Sequence, residues 1–189
     1  DGVLVPVKGS IKPVPWDERF LQVLITMRKE QENWGVIEDP SDVDPRNILK
    51  KVIAKFKSLG LKPVVAFELE FYLLDKNRDE YGKPVPAGGA NKTHVYGIPD
   101  LDLFGRLFDD INKNCKMQNI PATTASSEFA AGQYEINLKH TDDLLKAADD
   151  AAMLRRIIKE TSERHGYEAT FMAKPFLEET GNGMHLHLS

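Results

Sequence analysis

Three short stretches of this sequence concentrate its chemistry. Val64 to Asp75 reads VVAFELEFYLLD, an apolar run interrupted by Glu68 and Glu70. SSEFAAGQYEIN sets Glu128 and Glu135 seven residues apart around Gly132, and GNGMHLHLS sets His185 and His187 two apart. Successive side chains of a strand point to opposite faces, so Glu68 and Glu70 share one face while Phe67, Leu69 and Phe71 share the other. The two imidazoles pair in the same way, and a turn at Gly132 can fold Glu128 and Glu135 towards one site. Like charges side by side are costly in a dry interior unless a divalent cation, a basic partner or water lies between them. Four carboxylates and an imidazole form a hard, oxygen-rich donor set that suits Mg²⁺ or Mn²⁺ better than structural zinc. Each pattern alone has a plainer reading as a solvated strand face or exposed turn; their joint occurrence favours a metal centre.

The surrounding elements must hold these stretches in place. Residues 1 to 26 read as short extended segments broken by Pro13 and Pro15, and residues 28 to 43 as a charged loop. Asp44-Pro45 opens a helix, with an acidic N-cap and proline at the first position. Its stripe of Ile48, Leu49, Val52, Ile53, Phe56 and Leu59 reads as a face packed on a sheet, and Gly60 as its stop. Lys76 to Asn91 reads as a loop. A second helix is expected from about Leu101 to Gln118, with Leu103, Leu107, Phe108 and Ile111 on its apolar side. Thr123 to Leu138 reads as strand, turn, strand. A third helix is expected from a Thr141 cap to His165, burying Leu144, Leu145, Ala148, Ala152, Ile157 and Ile158. Tyr167 to Met172 and Met184 to Ser189 read as the last strands. This order favours an α+β fold, a mostly antiparallel sheet with helices on one side.

Composition narrows the function classes. The net charge of −4 argues against a general nucleic-acid binder, whose affinity would rest on a basic surface. No apolar run approaches the roughly 20 residues that span a bilayer, which argues against a membrane protein. The single cysteine, Cys115, precludes an internal disulfide and suits a reducing compartment; we read the protein as cytoplasmic and the thiol as unremarkable. No P-loop or dinucleotide fingerprint is present. The 189 residues start at Asp1-Gly2 and stop within a strand-like stretch, so we expect them to form part of a longer protein.

FELEFYLLD, SSEFAAGQYEIN, ATFMAKPF and GNGMHLHLS stand in the order expected of the glutamine synthetase family, and the resemblance covers nearly the whole chain. It implies a partial glutamine synthetase-like catalytic domain at 27–189, with 1–26 as the end of an N-terminal region. It also implies an ATP- and metal-dependent ligase that activates the γ-carboxylate of glutamate as γ-glutamyl phosphate for attack by ammonia. Glu70, Glu128 and Glu135 would hold one ion and Glu68 and His185 a second. His187 and Ser189 would contact the nucleotide, and the loop at Gly181 would cradle glutamate. Tyr96 corresponds to a tyrosine near the ammonium pocket, which with Glu128 would make the catalytic pair. The whole protein would be a large homo-oligomer. Thr180 and Asn182 depart from the asparagine and serine of ammonia-specific members. EFAAGQYEIN and MAKPF are more similar to the branch that joins glutamate to polyamines such as putrescine. Family members also carry an upstream aspartate, downstream arginines and one further metal-ligating glutamate. None of these is present, so by resemblance this chain alone should bind metal weakly and catalyse little. A non-catalytic metal-binding or assembly module is the rival from another class.

Overall fold

The structure, a computed structural model, describes residues 2–30, 36–40, 43–88 and 95–189. The chain divides into two compact units, Asp1–Pro63 with Asp142–Leu145, and Val64–Thr141 with Lys146–Ser189.

The first unit holds β1 (Gly2–Pro6), β2 (Lys12–Val14), β3 (Asp17–Gln22), β4 (Ile25–Glu30), β5 (Val36–Pro40) and α1 (Pro45–Ser58). Strands β1, β4 and β5 form an antiparallel sheet, and β2 pairs β3 as a hairpin. The expected loop over residues 28–43 is therefore corrected where the structure describes it: 28–30 end β4 and 36–40 form β5, while 31–35 and 41–42 lie outside the described residues. Polar residues alternate as readily on an open strand as in a loop, and the backbone pairing decides. Asp44 caps α1 as expected, accepting from the Arg46 N–H at 2.9 Å, with Pro45 in the first turn. The apolar stripe of α1 does not pack as expected. Ile48, Val52 and Leu59 are exposed, Leu49, Ile53 and Phe56 half-buried, and the buried residue of the helix is Asn47, whose Nδ2 donates to the Met27 carbonyl on β4 at 2.9 Å. Polar contacts at its first turn attach this helix to its sheet.

The second unit is built on β6 (Val65–Asp75). The chain continues through α2 (Ile98–Leu103), α3 (Gly105–Met117), β7 (Ala122–Ser127), β8 (Gln133–Leu138), α4 (Leu144–Arg164), β9 (Tyr167–Thr170) and β10 (Met184–Leu188). The sheet order is β10-β6-β8-β7, all antiparallel, and β9 also pairs β6. Strand β10 pairs Val65–Leu69 and β9 pairs Tyr72–Asp75, so residues 171–183 leave and rejoin the edge of β6 opposite its midpoint. One face of β6 carries Leu69, Phe71 and Leu73 into the core, with Phe71 and Leu73 fully buried. Each such side chain contributes roughly 1.5–3 kcal/mol. Tyr134 of β8 meets Phe104 and Phe108 at ring separations of 5.8 and 5.1 Å, which seats α3 on this face. Helix α4 joins α3 through Asn114 Nδ2, which donates to Thr161 Oγ1 at 3.0 Å. The fold is the expected α+β arrangement with an antiparallel sheet.

Several boundaries differ from the sequence reading. The helix expected over 101–118 is two helices broken at Phe104, and Leu103 is exposed while Phe104, Leu107, Ile111 and Cys115 are buried. Thr141 is not a cap: it exchanges both backbone hydrogen bonds with Val65 at 2.9 Å, so α4 starts at Leu144. Sheet pairing outcompetes capping there. The buried stripe of α4 is Ala147, Ala151, Leu154, Ile157 and Ile158, with Ala152 exposed and Leu144, Leu145 and Ala148 half-buried. Strand β9 ends at Thr170, two residues short of Met172. Cys115 is buried, and burial followed by the nearby Asp150 pushes its thiol up to about 12, as an inert core thiol requires. No helix among the described residues is long and apolar enough to cross a membrane.

Candidate metal and substrate site

The polar face of β6 carries the site, and strand register assembles it. Glu70 lies opposite Glu135 of β8, and Glu68 lies between Asn137 of β8 and His185 of β10. His187 stands two residues further along the same face. Glu128 follows β7 at the turn into β8, where its N–H donates to the Gln133 carbonyl at 2.8 Å. That turn requires Gly132: its φ is +71°, and a Cβ would come within 2.9 Å of the Leu73 carbonyl oxygen.

The resulting grouping is tight. Ligand atoms of Glu68, Glu135 and His185 all lie within 4.8 Å of one another. His185 Nδ1 is 3.3 Å from Glu68 Oε2, 3.8 Å from Glu70 Oε1 and 3.9 Å from Glu135 Oε2. His187 Nε2 is 2.9 Å from Glu68 Oε1, and its ring lies 6.2 Å from that of His140. The carboxylates repel one another. Burial, then the charges of Glu135 and Glu70, push Glu128 up to about 7, with His185 partly offsetting them. Burial and then Glu68 raise Glu135 as well, against a hydrogen bond from Asn137.

Two features test whether a divalent cation fits. Among the described residues, the ion-pair partners of Glu68, Glu70 and Glu135 are the two imidazoles, and no lysine or arginine neutralises them. Asn137 donates through Nδ2 to Glu135 Oε1 at 3.3 Å, while its Oδ1 is buried without a partner among the described residues. An acidic cluster with an unspent acceptor beside it fits a hydrated hard cation held by carboxylates and imidazole.

The other expected site residues are held mostly by their backbone. The Gly181 carbonyl accepts from Gln133 Nε2 at 3.0 Å. Ser189 exchanges both backbone hydrogen bonds with Val64 at 3.0 Å, and its side chain is exposed. Tyr96 has a φ of +57°, donates its N–H to the Ser127 carbonyl at 3.0 Å, and is 69% exposed. It is therefore tied beside Glu128 through its main chain.

Comparison with known proteins decides the family: residues 42–189 match the family described as "Glutamine synthetase, catalytic domain". The chain belongs to the glutamine synthetase family. It is similar over its whole length, at 44% identity, to gamma-glutamylputrescine synthetase PuuA of Escherichia coli, of which it covers 40%. It is 32% identical to the glutamine synthetase of Thermococcus kodakarensis over 80% of the chain and 33% of that relative. Among solved structures, the one titled "GmaS/ADP complex" superposes on the entire chain with a TM-score of 0.83 at 26% identity, using 41% of that structure. The chain thus spans about two-fifths or less of these relatives.

Two site residues escape sequence reasoning, Gln133 and Asn137. Asn137 had a usable signal, since it alternates with Glu135 on one face of β8. Gln133 had none, because its role depends on a loop distant in sequence.

Proposed function

We propose that these residues form part of an ATP- and divalent-metal-dependent ligase that joins the γ-carboxylate of glutamate to an amine. ATP would phosphorylate the γ-carboxylate, releasing ADP. The amine nitrogen would then attack the acyl carbon, expel phosphate, lose a proton and leave a γ-glutamyl amide. The observation that carries this reading is the cluster of Glu68, Glu135 and His185, with Glu70 and Glu128 beside it on one sheet face.

We assign Glu70, Glu128 and Glu135 to one ion and Glu68 and His185 to a second. In the structure the tightest grouping takes members of both sets. When bound, such ions offset the negative charge of a transferring phosphoryl group. The protein's own contribution is to gather the carboxylates on one face, where an ion would favour their charged forms, and to keep His185 oriented by Glu68. His187 and Ser189 lie where β10 would offer contacts to a nucleotide, and Gly181 where glutamate would rest. Glu128 and Tyr96 would flank the attacking amine. Family membership makes a cytoplasmic homo-oligomer the natural setting for the whole protein.

An organic amine is favoured over ammonia as acceptor by the 44% identity to a putrescine-using relative, against 32% to a glutamine synthetase. Thr180 and Asn182 in the substrate loop agree with that choice. The test is product formation by the natural polypeptide that carries these residues, supplied with glutamate, ATP, Mg²⁺ and either putrescine or ammonium. Preference for ammonium would overturn the acceptor assignment. Calorimetry with Mn²⁺ and ATP tests the rest: metal-dependent ATP binding is expected, and a chain that binds metal but never ATP would be the non-catalytic module instead.

A further inference from the structure

Gln133 is 2% exposed, yet its amide makes five hydrogen-bond contacts. Its Oε1 accepts from Thr180 Oγ1 at 2.6 Å and from the Ala130 N–H at 3.3 Å. Its Nε2 faces the Gly181 carbonyl at 3.0 Å, Glu70 Oε2 at 3.2 Å and Asn182 Oδ1 at 3.2 Å. These partners fix the amide's orientation, because a flipped amide would set its oxygen against a carboxylate and a carbonyl. The same residue therefore grips a carboxylate of β6 and the turn at residues 180–183.

The Glu70 carboxylate is divided by this arrangement. Oε2 takes two neutral donors, Gln133 Nε2 and the Gly183 N–H at 3.0 Å. Oε1 is left on the side of the cluster, 3.8 Å from His185 Nδ1. Neutral donors orient a carboxylate without neutralising it, so its charge stays available to a cation. The loop is held from its other side as well. Tyr72 donates its hydroxyl to the Thr180 carbonyl at 2.6 Å, and Asn182 Nδ2 donates to the Met172 carbonyl at 2.9 Å. A larger residue at Gly183 would displace both site side chains, since a Cβ would lie 2.8 Å from His185 Nε2 and 3.0 Å from Glu70 Oε1.

We propose that Gln133 is a positioning residue that makes the Glu70 carboxylate and the Thr180–Gly183 loop one mechanical unit, so that ion binding and ordering of the substrate loop occur together. The proposal rests on the reading of Glu70 as an ion ligand. It predicts that Mn²⁺ slows hydrogen exchange at Gly183, 113 residues from Glu70 in sequence, and that this coupling runs through Gln133.

The experiment titrates the natural polypeptide that carries these residues with Mn²⁺ alone, by calorimetry, alongside its Gln133→Met and Glu135→Ala variants, and follows amide exchange at Gly183 and at Ile136. Gln133→Met keeps length and apolar bulk but removes both amide functions. It is expected to weaken Mn²⁺ binding about tenfold, the loss typical of a residue that orients a metal ligand. It should also speed exchange at Gly183 while Ile136, in the β6–β8 ladder, keeps its protection; a merely structural role would move both. Parental Mn²⁺ affinity or unchanged Gly183 exchange in Gln133→Met would overturn the proposal. Glu135→Ala separates this failure from that of the ion reading: parental affinity there overturns the ion site itself. Should circular dichroism find Gln133→Met unfolded, Thr180→Val decides. It removes only the hydroxyl that orients the amide, and is expected to weaken Mn²⁺ binding about threefold with faster Gly183 exchange; parental values in both would overturn the proposal.

Discussion

Asp44 in the first unit and Glu128 in the second are both partly buried carboxylates, and their surroundings treat them in opposite ways. Asp44 accepts from the Met27 N–H at 2.7 Å, the Arg46 N–H at 2.9 Å, Asn47 Nδ2 at 3.3 Å and the Thr26 hydroxyl. Burial alone would raise its pKa, but the donors and nearby Lys50 outweigh it and the pKa falls below the usual value. Glu128 meets Glu135, Glu70 and Glu68 instead, and is pushed up to about 7 by burial and by their charge. A structural carboxylate is surrounded by donors that spend its charge locally. A carboxylate left among its own kind takes up a proton more readily, and gives it up to a cation that the chain does not itself supply.

The comparison is broken most directly at Glu135. Glu135→Ala is expected to lower Mn²⁺ affinity by on the order of 100-fold, since even residues behind the ligands cost 10–100-fold, whereas Asp44→Ala should leave it unchanged. Calorimetric titration checks both, and equal affinities would reduce the cluster to a solvated face.

Asp44→Ala acts on stability instead. It takes the acceptor from the Met27 and Arg46 N–H groups and from the buried Thr26 hydroxyl, at about 2 kcal/mol, the upper end for a lost N-cap. Thermal melts of the variant and the parent would read this, and an unchanged melting temperature would mean that the cap is incidental. Asp44→Asn should restore only part of the loss, because its single amide oxygen can accept from the Arg46 N–H or from the Met27 N–H but not from both.

The pH dependences should differ in sign. The pKa of Asp44 is lower in the folded chain, so its contribution is present above the unfolded value near 3.8 and is lost as pH falls through the folded value. The pKa of Glu128 is raised from 4.5 to about 7, so the metal-free folded chain holds a proton that the unfolded chain releases, and stability declines as pH rises across that window. Urea denaturation at pH 4.5 and 7 should find the decline in the parent and a smaller one in Glu128→Gln. Saturating Mn²⁺ should reverse it; a decline that survives in Glu128→Gln would place its origin elsewhere.

Much of this site was legible in advance for a local reason. Alternation along β6 put Glu68 and Glu70 on one face, and the Asp44-Pro45 cap needed nothing beyond its own turn. Errors arose where a distant partner competes with a local preference. Thr141 is a good cap by type, but it pairs with Val65; the apolar stripe of α1 is well spaced, but Ile48, Val52 and Leu59 stay exposed, and Asp44 and Asn47 make polar contacts to β4. Phe104 reads as mid-helix, yet its ring lies 5.8 Å from that of Tyr134 and 5.3 Å from that of Tyr167, and the helix breaks there.

By itself the sequence determined which residue types are available and which face of each strand they occupy, because side-chain alternation is a property of the strand alone. Only the tertiary structure decided which carboxylate meets which partner. Glu70 opposite Glu135, Glu68 opposite His185, and Gln133 closing the loop onto Glu70 all depend on register between strands far apart in the chain. A slip of one residue would turn every one of these side chains to the other face.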